Sequence, residues 1–111
     1  MVLYVIRFDI LPDKVKEYTK WIESFLKITW IVPGVEEFRA YRTVVSSQGY
    51  VVGTFEFKNM NAWAKWNSNK EIQRFLDELR KFVTNMTSEL WGPSPIYPDP
   101  VRPGNKSEKQ G

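Results

Sequence analysis

Cysteine and histidine are both missing from this 111-residue chain. Without cysteine there is no disulfide framework and no thiolate chemistry. Without histidine the side chain that titrates near neutral pH is gone, and with it the commonest zinc and haem ligands and every Ser-His or Cys-His nucleophile arrangement. Long apolar runs are also lacking. No segment approaches the ~18 consecutive apolar residues of a membrane span, and the start, Met1-Val2-Leu3-Tyr4-Val5-Ile6, has neither the basic residues nor the cleavage site of a signal peptide. These absences point to a cytoplasmic protein without a membrane partner. An excess of one charge is lacking too: the net charge is only +3. Acids and bases alternate along Lys14, Lys16, Glu17, Lys20 and Glu23, and again along Arg74, Asp77, Glu78, Arg80 and Lys81. Such mixing marks solvated helix faces rather than the basic stripe of a nucleic-acid binder. Asp9 and Glu56 have no partner acid, so a glycosidase-type pair is not available.

What is abundant is apolar and aromatic material, at 42% hydrophobic and 15% aromatic. The length sets one domain, which at this size buries on the order of 60–65% of its unfolded surface. Seven Phe, five Trp and five Tyr exceed what one small core hides, so some aromatics are expected to line a pocket or a contact between two copies of the chain. A homodimer is the simplest outlet.

The pattern along the chain reads as an α+β fold. Val2 to Asp9 is rich in β-branched and aromatic residues and is apolar on both faces over its first half, as suits a strand covered on both sides. Pro12 and Asp13 open a long helix in which Val15, Tyr18, Ile22, Phe25, Leu26 and Thr29 recur at helical spacing, until Pro33-Gly34 breaks it. Trp21 and Trp30 on this helix read as packing or lid residues. Phe38 to Val45 and Tyr50 to Phe57 alternate, and Ser46-Ser47-Gln48-Gly49 joins them as a hairpin. Asn59 or Asn61 caps a short helix holding Trp63 and Trp66. Ser68 with Glu71 has capping-box spacing for a further helix, whose apolar residues Ile72, Phe75, Leu76, Leu79, Phe82, Val83 and Met86 fit the helical period. Beyond Gly92 five prolines follow within a short tail, where Ser94 to Tyr97 gives a candidate edge strand and Asn105 onward is polar. The expected division is a folded domain over 1–91 and a Pro-rich tail over 92–111. Strand, helix, hairpin, helix and last strand make the ferredoxin-like βαββαβ order, an antiparallel sheet with helices on one face. The other face would carry Tyr50, Val52 and Thr54, too apolar to stay in water.

The run Phe-Glu-Phe-Lys-Asn-Met-Asn-Ala-Trp-Ala-Lys-Trp from Phe55 to Trp66, with the amphipathic stretch after it, resembles the antibiotic-biosynthesis-monooxygenase-like group of dimeric α+β barrels. The likeness spans roughly Val2 to Met86. It implies two sheets packed face to face in a dimeric barrel, with a pocket between sheet and helices in each subunit. It also implies oxidation of a small aromatic substrate with no cofactor, neither metal nor flavin. Asn59 and Trp63 stand four apart, matching the amide-to-tryptophan spacing of such a site, and with Trp66 they are the candidate catalytic residues. An amide and an indole N–H in a dry pocket would donate to developing phenolate charge. Tyr41 and Arg39 are the candidate substrate-binding residues, and Arg7 and Arg42 are further strand charges that need either a partner or a ligand. A cap, at Asn59 or Asn61, and a packed Trp63 account for these residues more simply. Haem-degrading relatives use a histidine about ten positions after the tryptophan resembling Trp66, where this chain has Phe75-Leu76, and an asparagine on the first strand, where it presents Arg7; that ligation has no histidine to work with.

Two other readings compete with the enzyme. The domain could be a non-catalytic dimeric ligand-binding or assembly module, since a fold does not establish an activity. RNA-recognition domains share the βαββαβ order, and Leu3-Tyr4-Val5 and Gly49-Tyr50 with Phe55 resemble parts of their strand motifs, with aromatics that would stack bases. That match fails at Arg7 and Phe8, at Gln48, and over Val51 to Gly53.

Overall fold

A computed structural model describes residues 1–46 and 48–104. Its elements are β1 (Val2–Ile10), a 3-10 turn (Pro12–Lys14), α1 (Val15–Ile31), β2 (Val35–Arg42), β3 (Val51–Phe57), α2 (Met60–Asn67), α3 (Lys70–Leu79) and β4 (Val83–Trp91). The four strands form one antiparallel sheet in the order β2-β3-β1-β4, which is the ferredoxin-like arrangement. Pairing of Tyr4 with Phe55, Ile6 with Gly53 and Phe8 with Val51 sets one face of the two central strands. That face meets Trp21 and Phe25 of α1, Trp66 of α2 and Ile72, Phe75, Leu76 and Leu79 of α3 in a single core. The opposite face, with Leu3, Val5, Val52 and Thr54 from the same strands, carries no helix, as the alternation requires.

Aromatic packing fixes where the helices sit. Trp66 is fully buried, with its ring centroid 5.2 Å from Phe57, 5.5 Å from Phe55, 6.1 Å from Tyr4 and 6.3 Å from Phe25. Trp21 stacks on Phe25 at 4.7 Å, and its indole N–H donates to the Phe75 carbonyl at 2.8 Å, tying α1 to α3. Gly34, at φ 135°, lets the chain turn from α1 into β2 where a Cβ would meet the Ala62 carbonyl oxygen at 3.3 Å. Trp21 thus belongs to the core, whereas Val15 and Trp30 are exposed, so α1 is rotated relative to the expected apolar stripe.

Three sequence expectations need correction. The N-cap of α3 is Asn69, whose side chain accepts from Glu71 N and Ile72 N; Ser68 instead closes α2, its hydroxyl donating to the Lys65 carbonyl. The helix ends at Leu79, and Val83 and Met86 lie on β4. The last strand is therefore Val83–Trp91, not Ser94 to Tyr97. Residues 92–104 hold no helix or strand, and Ile96 and Tyr97 are 78% and 68% exposed, so this part of the tail does not lie on the body of its own chain. The expected loose end at Asn105 onward lies outside the described residues.

One carboxylate organises the end of the sheet where the β2–β3 connection and the start of β4 meet. Asp9 accepts from Gly49 N at 2.9 Å, Tyr50 N at 2.8 Å and Asn85 Nδ2 at 3.0 Å. Asn85 sits at φ 56°, beside the register shift of β4 against β1. Gly49, at φ 74°, packs on the Arg7 side chain so closely that a Cβ would come within 2.8 Å of Arg7 Cγ. The backbone N–H donors of Gly49 and Tyr50, then the Asn85 amide, hold the Asp9 carboxyl below its ordinary value of 3.8. A depressed folded-state pKa stabilises the fold above the unfolded value and loses that contribution as pH falls through the folded one. Asp9→Asn is therefore expected to lower the melting temperature at neutral pH, with the gap to the parent chain narrowing below pH 3.8. A gap that stays constant down to strongly acid solution would refute the clamp. Trp66→Ala, by emptying the centre of the core, is expected to cost about 3–5 kcal/mol in denaturant titration.

Candidate functional site

Among the hollows of the described residues, two open between the sheet and its helices and one groove lies on the bare face. The first hollow is a crevice of about 320 Å³ between α2 and β4, lined by Tyr4, Trp63, Asn67, Ser88, Glu89 and Leu90. Trp66, turned into the core, fixes the rotation of α2; Trp63, three residues earlier, then lies over β1 with its ring 5.8 Å from that of Tyr4. Asn67 follows Trp63 by four residues and so comes to the same flank. Ser88 and Leu90 pair with Ile6 and Tyr4 across β1–β4, which brings them to the helix side.

The polar groups of this crevice are largely uncommitted. Trp63 Nε1 is buried and has no acceptor. Asn67 Oδ1 accepts from Gln73 Nε2 at 3.3 Å, and the Asn67 carbonyl accepts from the same nitrogen at 2.5 Å, which leaves Asn67 Nδ2 as the free donor. No hydrogen bond engages the Tyr4 or Ser88 hydroxyls among the described residues. The crevice gathers the Asn67 amide, the Tyr4 and Ser88 hydroxyls and the Glu89 side chain beside the Trp63 ring, whose N–H is closed off from solvent; the amide and hydroxyls are donors suited to an oxygen acceptor on a ligand.

The second hollow, of about 210 Å³, lies between α1 and the β2–β3–β1 part of the sheet. Its origin is a cross-strand pair with almost no side chain: Ala40 on β2 faces Gly53 on β3. Glycine inside a strand often marks close approach of another group or a space left for one. The groove on the bare face, of about 380 Å³, is lined by Leu3, Glu37, Arg39, Tyr41, Val52, Thr54, Glu56 and Trp91.

These placements separate the sequence candidates. Asn59 is the N-cap of α2, its side-chain oxygen accepting from Ala62 N at 2.9 Å. Trp66 is core. Trp63 alone of the three lines a hollow. Tyr41 and Arg39 lie across the sheet from it, and Arg39 is engaged by Glu37 at 2.5 Å and by Tyr41, which together hold the guanidinium still more firmly protonated. The sequence reading missed Asn67, which stands four positions after Trp63 as Asn59 stands four before it, and Gly53, whose place inside an alternating strand was the available signal. Of the aromatics named for an RNA-recognition sheet, Tyr4 and Phe55 are 9% and 2% exposed and face the helices, so they cannot stack on bases, and Tyr50, 52% exposed, lies outside β3. No group of His, Cys, Asp or Glu able to hold a metal occurs among the described residues, and none of their helices is long and apolar enough to cross a membrane.

No family model and no curated protein matches the chain by sequence. Solved structures match by shape. The protein Rv0793 of Mycobacterium tuberculosis aligns over 91% of this chain and 98% of its own, with a TM-score of 0.71 and 14% identity. A protein described as an antibiotic biosynthesis monooxygenase aligns over 86% and 100%, with a TM-score of 0.70 and 14% identity. A dabb family protein with a ferredoxin-like fold from Mesorhizobium loti aligns over 84% and 96%, with a TM-score of 0.72 and 16% identity. The chain thus has the ferredoxin-like fold of structural neighbours that include antibiotic-biosynthesis-monooxygenase and dabb proteins.

Proposed function

We propose that the chain is a cytoplasmic homodimer that binds a small phenolic or otherwise enolisable aromatic molecule at the α2–β4 crevice and oxidises it without metal or flavin. The observation that carries this reading is the buried, acceptor-free N–H of Trp63 beside the uncommitted groups of Tyr4, Asn67 and Ser88. An unpaired buried donor costs roughly 1–3 kcal/mol, and a ligand oxygen reaching it would recover that cost. The name of one structural neighbour, antibiotic biosynthesis monooxygenase, suggests the reaction class.

The chemistry follows from a donor set that stabilises negative charge on oxygen. A ring CH₂ conjugated through the aromatic rings to a carbonyl loses a proton to water to give an enolate, held by the Trp63 and Asn67 N–H donors, and the peroxide anion formed later takes a proton back. The enolate carbon supplies the electrons and bonds dioxygen; the resulting peroxide loses water and leaves a carbonyl. One oxygen atom thus enters the substrate and the other leaves in water, so no outside reductant is consumed. Asn59 contributes by capping the helix that carries Trp63, and Trp66 by fixing its rotation. Arg39 and Tyr41 act on the bare face, which in this reading meets a second copy of the chain through Leu3, Val52 and Trp91.

Oxygen uptake with anthrone-like polyphenols tests the enzyme. Trp63→Phe keeps the ring and removes the N–H, and is expected to lower kcat by about 10² with the fold retained by circular dichroism. Undiminished turnover in Trp63→Phe would overturn the assignment, and binding of the polyphenol with no oxygen uptake would leave the non-catalytic module in its place. The dimer has its own test. Leu3→Asp sets a charge at the bare face and is expected to shift sedimentation from dimer to folded monomer; a parent chain already monomeric at micromolar concentration would exclude the face-to-face pairing.

A further inference from the structure

The chain leaves the sheet at Trp91 and continues from Gly92 with large apolar side chains in water: Ile96, Tyr97 and Val101 are all exposed. This stretch is organised all the same. Pro93, Pro95, Pro98, Pro100 and Pro103 hold φ near −65° at five positions, which removes part of the chain freedom that docking would otherwise cost. Ser94 Oγ accepts from Ile96 N at 3.1 Å and from Tyr97 N at 3.3 Å, so the two apolar residues are presented next to each other on a hydrogen-bonded turn. The stretch also stands away from the body. The radius of gyration is 16.6 Å and the longest dimension 56 Å, where a compact domain of about 100 residues has a radius of roughly 13 Å. At its root, a Cβ on Gly92 would meet nothing within 4 Å.

We infer that the tail is an arm that docks on a second copy of the chain, with Ile96 and Tyr97 as its anchors. Its root selects the second copy over any other partner. Trp91, the last residue of β4, lines the bare-face groove together with Leu3 and Val52, on the face proposed to meet a second copy, and Gly92 follows directly. The arm thus starts at the rim of that pairing. Its reach is sufficient: an extended proline-rich chain advances about 3.1 Å per residue, so Ile96 lies up to ~15 Å beyond Trp91, whereas stacked sheets are about 10 Å apart. Its chemistry suits burial, since no residue from Gly92 to Pro98 is charged and tyrosine is enriched where protein surfaces meet. The arm presupposes the bare-face pairing and is independent of the oxidation chemistry at the Trp63 crevice.

Ile96→Ser combined with Tyr97→Ser, in the full chain, keeps the prolines and the Ser94 turn and alters only exposed positions, where the fold is least at risk. In sedimentation equilibrium this variant is expected to dimerise about tenfold more weakly than the parent, or worse, with an unchanged circular dichroism spectrum. The chain has no cysteine, so Tyr97→Cys labelled with a benzophenone maleimide puts a single photo-cross-linker on the arm. Irradiation should give a product of twice the chain mass, and adding Leu3→Asp should abolish it. A parent dimer whose dissociation constant is untouched by the double substitution would overturn the arm and leave the bare-face pairing standing. So would a cross-link formed only within one chain, or none at all, in a sample that sediments as a dimer. A parent chain that is monomeric at micromolar concentration would overturn both.

Discussion

The seating of Trp66 against the sheet is the contact on which the rest of this molecule depends. A short helix such as α2 has little stability of its own, because most helical stability in proteins comes from packing. Trp66 supplies that packing by filling the space among Tyr4, Phe25, Phe55 and Phe57 with no exposure to solvent. Once this residue is turned inward the phase of α2 is set. Trp63 and Asn67 must then fall on the flank facing β1 and β4, while Asn59 is left at the helix start with its oxygen on Ala62 N. The two tryptophans therefore have different work: one builds the core and the other borders a hollow.

The sheet divides the charges from the donors in the same way. Glu37, Arg39, Glu56 and Tyr41 line the bare face, where mutual pairing holds Arg39. On the helix side the crevice contributes neutral hydrogen-bonding groups with Glu89 as its one charged lining residue, and the hollow beneath α1 contributes hardly any polar group. Strand alternation alone produces this separation, since Arg39 and Tyr41 pair with Thr54 and Val52, whereas Phe38 and Ala40 pair with Phe55 and Gly53. Arg39 and Trp63 thus lie on opposite sides of one sheet and cannot serve one site within a single chain.

Much of the fold was legible because its signals were local. β1, the long helix, β3 and a cap at Asn59 or Asn61 each follow from residues within one element, whereas β2 runs over Val35–Arg42 and not Phe38 to Val45. The start of β4 was hidden by a coincidence of spacing: Phe82, Val83 and Met86 continue the helical period of Ile72, Phe75, Leu76 and Leu79, with no glycine or proline to mark the break. What ends the helix is tertiary. β1 is apolar along much of its length and needs a second neighbour, and Val83–Trp91 supplies it by pairing from Leu3 to Ile10. Trp63 was legible by its helix position, but Asn67 was not, because its value depends on Ser88 and Tyr4 arriving from two other strands. Gly53 carried a signal whose meaning appears only when Ala40 is placed opposite it.

The crevice sets a limit on the substrate it could turn over. Tyr4 and Glu89 are the titratable residues that line it, and neither lysine nor histidine is among them. Catalysis there cannot rest on a strong general base poised near neutral pH, as it does where a histidine is available. Neutral donors still favour ionisation of a bound acid, because hydrogen bonds to the charged form lower its pKa. Their reach is finite, since each pKa unit requires 1.36 kcal/mol of differential interaction, and a hydrogen bond to a charged group supplies about 1.5–3 kcal/mol. The Trp63 and Asn67 donors together can therefore lower a substrate's pKa by only a few units. A substrate for this site must be an acid already within a few units of ambient pH, as phenols and ketones whose enol is a phenol are and simple arenes are not.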